Sequence, residues 1–207
     1  MNEMKTLDVE YDQVFIIDCL PTNQYDEWKI SQDLMQYLAD KGVKQTTSIC
    51  KNKNILNKTF EFLIRLASNG SKFIIHIISH GNIQGLGFKE TGEFITWEEF
   101  RNHLYNINNK MSDQLMVNMT SCFGIHGIKI VNECSPSYPF FGLIGYESEL
   151  NVVKAKNINV EFYKNLLLGL SIPDSIEKLK SDLSDNGLYY ISTQGYKKIR
   201  NVINQYR

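Results

Sequence analysis

Proline is scarce in this sequence, at 4 of 207 residues, and there is no proline-rich or low-complexity block, which excludes collagen-like and linker architectures. Cysteine is equally sparse. Cys19, Cys50, Cys122 and Cys134 are never two residues apart, so neither a CxxC metal ribbon nor a ladder of disulfides is expected. Free thiols in a reducing cytoplasm are the natural reading. Neither sign of charge dominates: Lys plus Arg is 22, Asp plus Glu is 23 and the formal net charge is −1, which speaks against a generic nucleic-acid binder. No apolar run approaches the roughly 20 residues of a membrane span, so no membrane partner is expected. The opening stretch, Met1 to Glu10, has no basic region followed by an apolar one, so no secretory signal is expected. What is present is ordinary globular composition, 43% hydrophobic and 22% charged, in a length that suits one domain spanning 1–207.

Short apolar runs alternate with helical patterns, the signature of an α/β fold with a largely parallel sheet. The first run, Val14 to Cys19, is apolar on both faces, as a strand covered on both sides would be. Ile30, Leu34 and Leu38 then predict a helix closed by Gly42, and Lys44 to Ile49 a second strand. A second helix carries Leu56, Phe60, Leu63, Ile64 and Ala67 and ends near Asn69-Gly70. The third strand, Lys72 to Ser79, ends at His80-Gly81. A hairpin over Gly85–Phe88 and Glu93–Ile95 follows, and then a helix opened by the Thr96/Glu99 capping box, with Trp97, Phe100, Leu104 and Ile107 as its buried face. Gln114 to Thr120 is the fourth strand and Phe140 to Tyr146 the fifth. Two helices come next, the second capped by Ser171, then an edge strand over Leu188–Ser192 and a short tail helix from Gln194. The expected sheet has about six strands in the order 2-1-3-4-5-6, with helices on both faces. Cys19-Leu20-Pro21 follows the first strand where a dinucleotide-binding fold would have GxGxxG, so no such cofactor is expected.

Sites in open α/β sheets lie beyond the carboxyl ends of the strands. That rule promotes Asp18 and Cys19, His80, Cys122 and Glu147. If strands three and four are neighbours, as consecutive strands usually are, His80 and Cys122 share one rim. A thiol beside an imidazole is a nucleophile beside a base. The N–H groups of Gly81 and Cys122 would then form an oxyanion hole. Taken singly, a Cys at a strand end is more often a small buried hydrophobe and His-Gly a turn; the pair at consecutive strand ends carries the functional reading.

Ile77-Ile78-Ser79-His80-Gly81 followed by Met119-Thr120-Ser121-Cys122-Phe123-Gly124 resembles the caspase-like cysteine peptidases, which include caspases, metacaspases, gingipains, separase and the bacterial CHAT-domain proteases. The catalytic His of that group follows strand three and the catalytic Cys strand four. Ser121 stands where many relatives have Ala, and no Gln-Ala precedes the Cys, so the similarity is closest to the CHAT-like branch, to which Glu161–Ile172 is also similar. The resemblance implies a three-layer caspase-like fold and a cysteine endopeptidase with His80 as base and acid, Cys122 as nucleophile and Gly81 and Cys122 as oxyanion hole. It implies no metal and no cofactor. It also implies a protein substrate in a bacterial defence or cell-death setting, a gasdermin-like pore former being one such substrate, and a separate activating protein, since so short a chain leaves no room for a sensor domain. The reading from another class is a catalytically silent caspase-like or flavodoxin-like binding module.

Relatives that cut after Arg or Lys place acidic residues near the ends of strands one and four. Asp18 matches the first position, and Thr120, which is not acidic, the second. Cleavage after a basic residue is therefore expected, with Asp18 at the pocket floor and Glu147 as helper; the alternative for Asp18 is a loop brace, with a small or apolar specificity. The lack of nearby arginine argues against cleavage after Asp. Of the remaining candidates, His76 and Trp97 read as core and Cys134 as a loop thiol. Cys122 and His126 with His80 fall short of a convincing zinc set, and the basic tail, Lys197 to Arg207, reads as a solvated helix face.

Overall fold

A computed structural model of the chain describes residues 4–6, 9–21, 29–119, 121–130 and 138–198. A hairpin of β1 (Met4–Thr6) and β2 (Val9–Tyr11) precedes β3 (Gln13–Asp18), α1 (Ile30–Asp40), β4 (Gln45–Ile49), α2 (Lys53–Ser68) and β5 (Phe73–Ile78). Three short strands follow: β6 (His80–Asn82), β7 (Gly85–Phe88) and β8 (Glu93–Thr96). Then come α3 (Trp97–Lys110), β9 (Met116–Met119), a 3-10 segment (Gly124–Ile130), β10 (Gly142–Tyr146), α4 (Val152–Leu167), α5 (Ile172–Leu183) and β11 (Leu188–Ser192). A helical turn over 193–198 follows.

The main sheet has six strands in the order β11-β10-β9-β5-β3-β4, parallel except for β11, which pairs antiparallel with β10. Counted along the chain, this is the expected 2-1-3-4-5-6. The parallel strands β3, β5, β9 and β10 are buried along their whole length, which is why their sequences are continuous apolar runs. Phe15 and Ile16 are consecutive in β3 and so point to opposite faces. Phe15 meets the ring of Phe62 from α2, at 5.9 Å between centroids. Ile16 stands in register with His76, whose ring meets Tyr163 of α4 at 5.7 Å. On the α2 side α3 packs against α2; on the other, α1 packs on α4 and α4 on α5, completing three layers. Among the described residues no helix is long and apolar enough to cross a membrane.

Local chemistry sets the element ends. Thr96 and Glu99 form the reciprocal capping box at the start of α3, and Ser171 caps α5 through the Asp174 N–H. Gly42 closes the turn after α1 at φ +70°, where other residues are strained. Two features depart from the sequence expectation. The β1–β2 hairpin has no apolar signature in its sequence. His80 does not simply end a strand: it opens β6, which pairs with β7, and β7 with β8, in a separate three-stranded sheet.

Gly145 of β10 bears on the site. A Cβ there would strike the backbone of Gly124 and Ile125, so the bare strand lets the 3-10 segment lie directly on the sheet. Gly145→Ala is expected to cost about 1–3 kcal/mol in urea unfolding, as overpacking does. Gly87→Ala, where an added Cβ meets nothing within 4 Å, should stay within about 0.5 kcal/mol. Equal losses for the two variants would contradict this packing.

Candidate active site

Because β5 and β9 are hydrogen-bonded neighbours, with His76 opposite Asn118, the chains leaving their carboxyl ends emerge side by side. Gly81 sits against the chain at Cys122 so closely that a Cβ on it would strike the Cys122 carbonyl oxygen. Any residue but glycine at 81 would push the His80 and Cys122 loops apart. His80 and Cys122 line one cavity of about 330 Å³ with Leu20, Ile30, Ile78, Leu150, Val152 and Ala155. Ser79, Ser121 and Asn151 complete its described wall. His80 and Cys122 are both only half-buried.

The Cys122 loop is held in a strained turn. Phe123 has φ +57°, a left-handed conformation that costs a non-glycine residue on the order of 1–2 kcal/mol. Gly124 follows so close to Met119 that a Cβ would meet that residue's carbonyl oxygen. The chain thus doubles back over the end of β9 and leaves Cys122 at the crest. Its neighbour is the loop between β10 and α4. Phe123 N–H donates to the Ser148 carbonyl at 3.0 Å, and Leu150 N–H donates to Cys122 Sγ at 3.3 Å. The Cys122 thiol in turn faces the Leu150 carbonyl at 3.8 Å. The far end of this loop is pinned by Lys154, which pairs with Asp185 and donates to the Tyr146 hydroxyl at 3.0 Å, while Tyr146 donates to Asp185.

Burial, aided by the positive charge of Lys89, holds the His80 imidazole below the ordinary histidine value. A neutral ring near pH 7 is the form that can accept a proton. Beneath it, His76 is fully buried and burial pushes its pKa down to about 3; its Nδ1 lies 3.0 Å from the Tyr163 hydroxyl. It belongs to the core, as its sequence setting suggested.

Asp18 and Glu147 fall elsewhere. Asp18 is fully buried; its carboxylate accepts from the Leu20 N–H at 2.9 Å and from the Ser31 hydroxyl at 2.5 Å. Burial raises its pKa, offset in part by those two hydrogen bonds. The carboxylate therefore braces the turn from β3 toward α1, the alternative reading of this residue, and is not on the cavity wall. Glu147 is exposed, and its N–H donates to the Gly187 carbonyl at 2.9 Å; it too is absent from the described wall. Every described residue lining the cavity is uncharged apart from the titratable His80 and Cys122. Thr120 and Cys134 lie outside the described residues.

Leu150 was missed by sequence reasoning, because it contributes through its backbone and a backbone N–H leaves no trace in residue type. Cys19 and Cys50 end β3 and β4 with hydrogen-bonded thiols. That bond from Cys19, with lesser help from Thr59 and Ser48 and against the effect of burial, brings Cys50 down to about 7, while Cys19 is pushed well up. Both are buried, whereas Cys122 reaches the surface. Among the described residues no group of three His, Cys, Asp or Glu could hold a metal.

No protein-family model matches the chain, and no curated protein matches it. The functional reading therefore stands on these residues.

The pKa of His76 makes a prediction about stability. Its folded value, about 3, is below the 6.5 of an ordinary histidine, so below pH 6.5 the unfolded chain takes up a proton that the folded chain refuses. Stability is then lost as pH falls from about 6.5 toward 3, at up to ~1.4 kcal/mol per pH unit from this group. Urea unfolding between pH 6.5 and 4.5 should show a shallower fall in His76→Phe than in the wild type. Parallel curves would mean that His76 titrates alike in both states.

Proposed function

We propose that this protein is a cysteine endopeptidase that hydrolyses a peptide bond in a partner protein through Cys122 and His80. The observation that carries the reading is the shared cavity: a half-buried thiol and a half-buried imidazole with a lowered pKa line one hollow at the carboxyl rim of a parallel sheet. In the proposed reaction His80 takes the Cys122 proton and the sulfur attacks the scissile carbonyl carbon. Oxygen carries the negative charge of the tetrahedral adduct, facing the N–H groups of Gly81 and Cys122. Collapse expels the amine, which receives the proton from His80 and leaves an acyl-enzyme. Water, deprotonated by His80, then hydrolyses the thioester and restores the thiol.

The resemblance to caspase-like peptidases supports the same assignment on the His80-Gly81 and Cys122-Phe123-Gly124 motifs. It also supplies the proposed setting: a bacterial defence or cell-death system in which another polypeptide activates the protease. The Leu150 contact gives an activator something to act on, since the Cys122 sulfur rests on that backbone and must turn toward a substrate carbonyl.

Alkylation with iodoacetamide, read by peptide mass, tests the assignment without an activator. Cys122 should react first, ahead of the buried Cys19 and Cys50, and should slow by about 10²-fold in His80→Ala, the usual worth of a general base. Slow, equal labelling of the thiols with no His80 dependence would instead indicate a silent module that binds a partner.

A further inference from the structure

The cavity beside Cys122 combines apolar walls with two polar groups that have no hydrogen-bond partner among the described residues. Ser79 and Ser121 both line it, are 7% and 3% exposed, and their hydroxyls meet no hydrogen-bond partner among the described residues. These two serines immediately precede His80 and Cys122, so they stand at the catalytic end of the hollow. Leu20, Ile30, Leu150, Val152 and Ala155 form much of the remaining wall.

We infer that this cavity is the subsite for the residue before the scissile bond, and that it selects an uncharged side chain with an apolar stem and a hydrogen-bonding end, glutamine being the standard residue of that description. The inference rests on the peptidase reading and adds its substrate class. Three arguments lead to it. A charged end would be buried without a counter-ion: no Asp, Glu, Lys or Arg is among the described lining residues, and the nearby Asp18 carboxylate already accepts from Leu20 and Ser31. A purely apolar side chain would leave both hydroxyls as unpaired as they are in the empty cavity, whereas a hydrogen-bonding end offers them a partner. A hydroxyl both donates and accepts, and a carboxamide offers two N–H donors and a carbonyl acceptor, so the two serines and one glutamine side chain can satisfy each other while its two methylenes lie along the wall. Asn151 cannot take the place of the ligand with its carbonyl, because its Oδ1 already caps α4 through the Lys154 N–H at 2.9 Å.

The test uses the full chain and peptidyl electrophiles identical except for the residue before the reactive group, which is Gln, Leu, Glu or Arg. The readout is the rate of Cys122 modification, so turnover and activation do not enter. Gln should exceed Leu by about fivefold or more, the worth of one ordinary hydrogen bond, and should exceed Glu and Arg by more. In Ser79→Ala and in Ser121→Ala the Gln-to-Leu ratio should fall toward one; being a ratio within each variant, it is blind to a loss shared by both probes. Fastest modification with Arg, Leu equal to or above Gln, or a Gln preference indifferent to both serines overturns the inference. So does a panel in which no peptide improves on a probe lacking a side chain. The wild-type panel alone decides if a serine variant fails to fold. His80-dependent alkylation by iodoacetamide separates the two claims: its loss removes the peptidase reading, whereas its presence beside a flat or reversed panel removes only the glutamine subsite.

Discussion

The contact between Gly81 and the Cys122 carbonyl is the constraint on which the rest of the site depends. Two chains leave adjacent parallel strands and pass so closely that neither tolerates a Cβ on Gly81. Such closeness is available only because β5 and β9 are paired, which in turn follows from a crossover through β6, β7, β8 and α3. The same economy of atoms recurs on both sides of Cys122: Gly124 lies against Met119 and Gly145 against the 3-10 segment. Three bare backbones thus fix one cysteine, and the left-handed Phe123 between them stores the strain of the turn. The surrounding packing has to outweigh that strain, typically about 1–3 kcal/mol.

Below the rim, polar groups are buried where a core would ordinarily be apolar. His76 and Asn118 stand side by side on neighbouring strands, and Tyr163 reaches them from α4. His76 is neutral there because a charged ring would have to be desolvated. Its hydrogen bond ties α4 to the sheet, and the amino-terminal end of α4 is where Leu150, Asn151 and Val152 meet the cavity. The buried histidine and the half-buried one thus serve different levels of the same arrangement: His76 fastens the helix, and that helix carries one wall of the hollow that His80 lines.

Much of this was legible in residue order. Strands covered on both faces need no alternation, so runs such as Phe73–Ile78 identify themselves, and the Thr96/Glu99 pair marks a helix start by its chemistry alone. The adjacency of His80 and Cys122 followed from the tendency of consecutive strands to pair. What could not be read depended on distant partners. β6 is three residues, His-Gly-Asn, with no strand pattern of their own; pairing with Gly85–Phe88 makes them a strand. The orientation of Asp18 was decided by Ser31, which lies in the next helix, and a carboxylate at a strand end looks the same whether it faces a pocket or a loop. Leu150 acts through its N–H. Residue type gives a charge, but hydrogen-bond partners decide where that charge points.

A crystal structure of the protein inactivated by a peptide aldehyde tests the central claim most directly, because it traps the tetrahedral adduct that the rim geometry is proposed to stabilise. The account predicts a covalent bond from Cys122 Sγ to the former aldehyde carbon, with the adduct oxygen within about 3.2 Å of both the Gly81 and the Cys122 backbone nitrogens. An adduct on another thiol, or an oxygen turned away from Gly81, would contradict it.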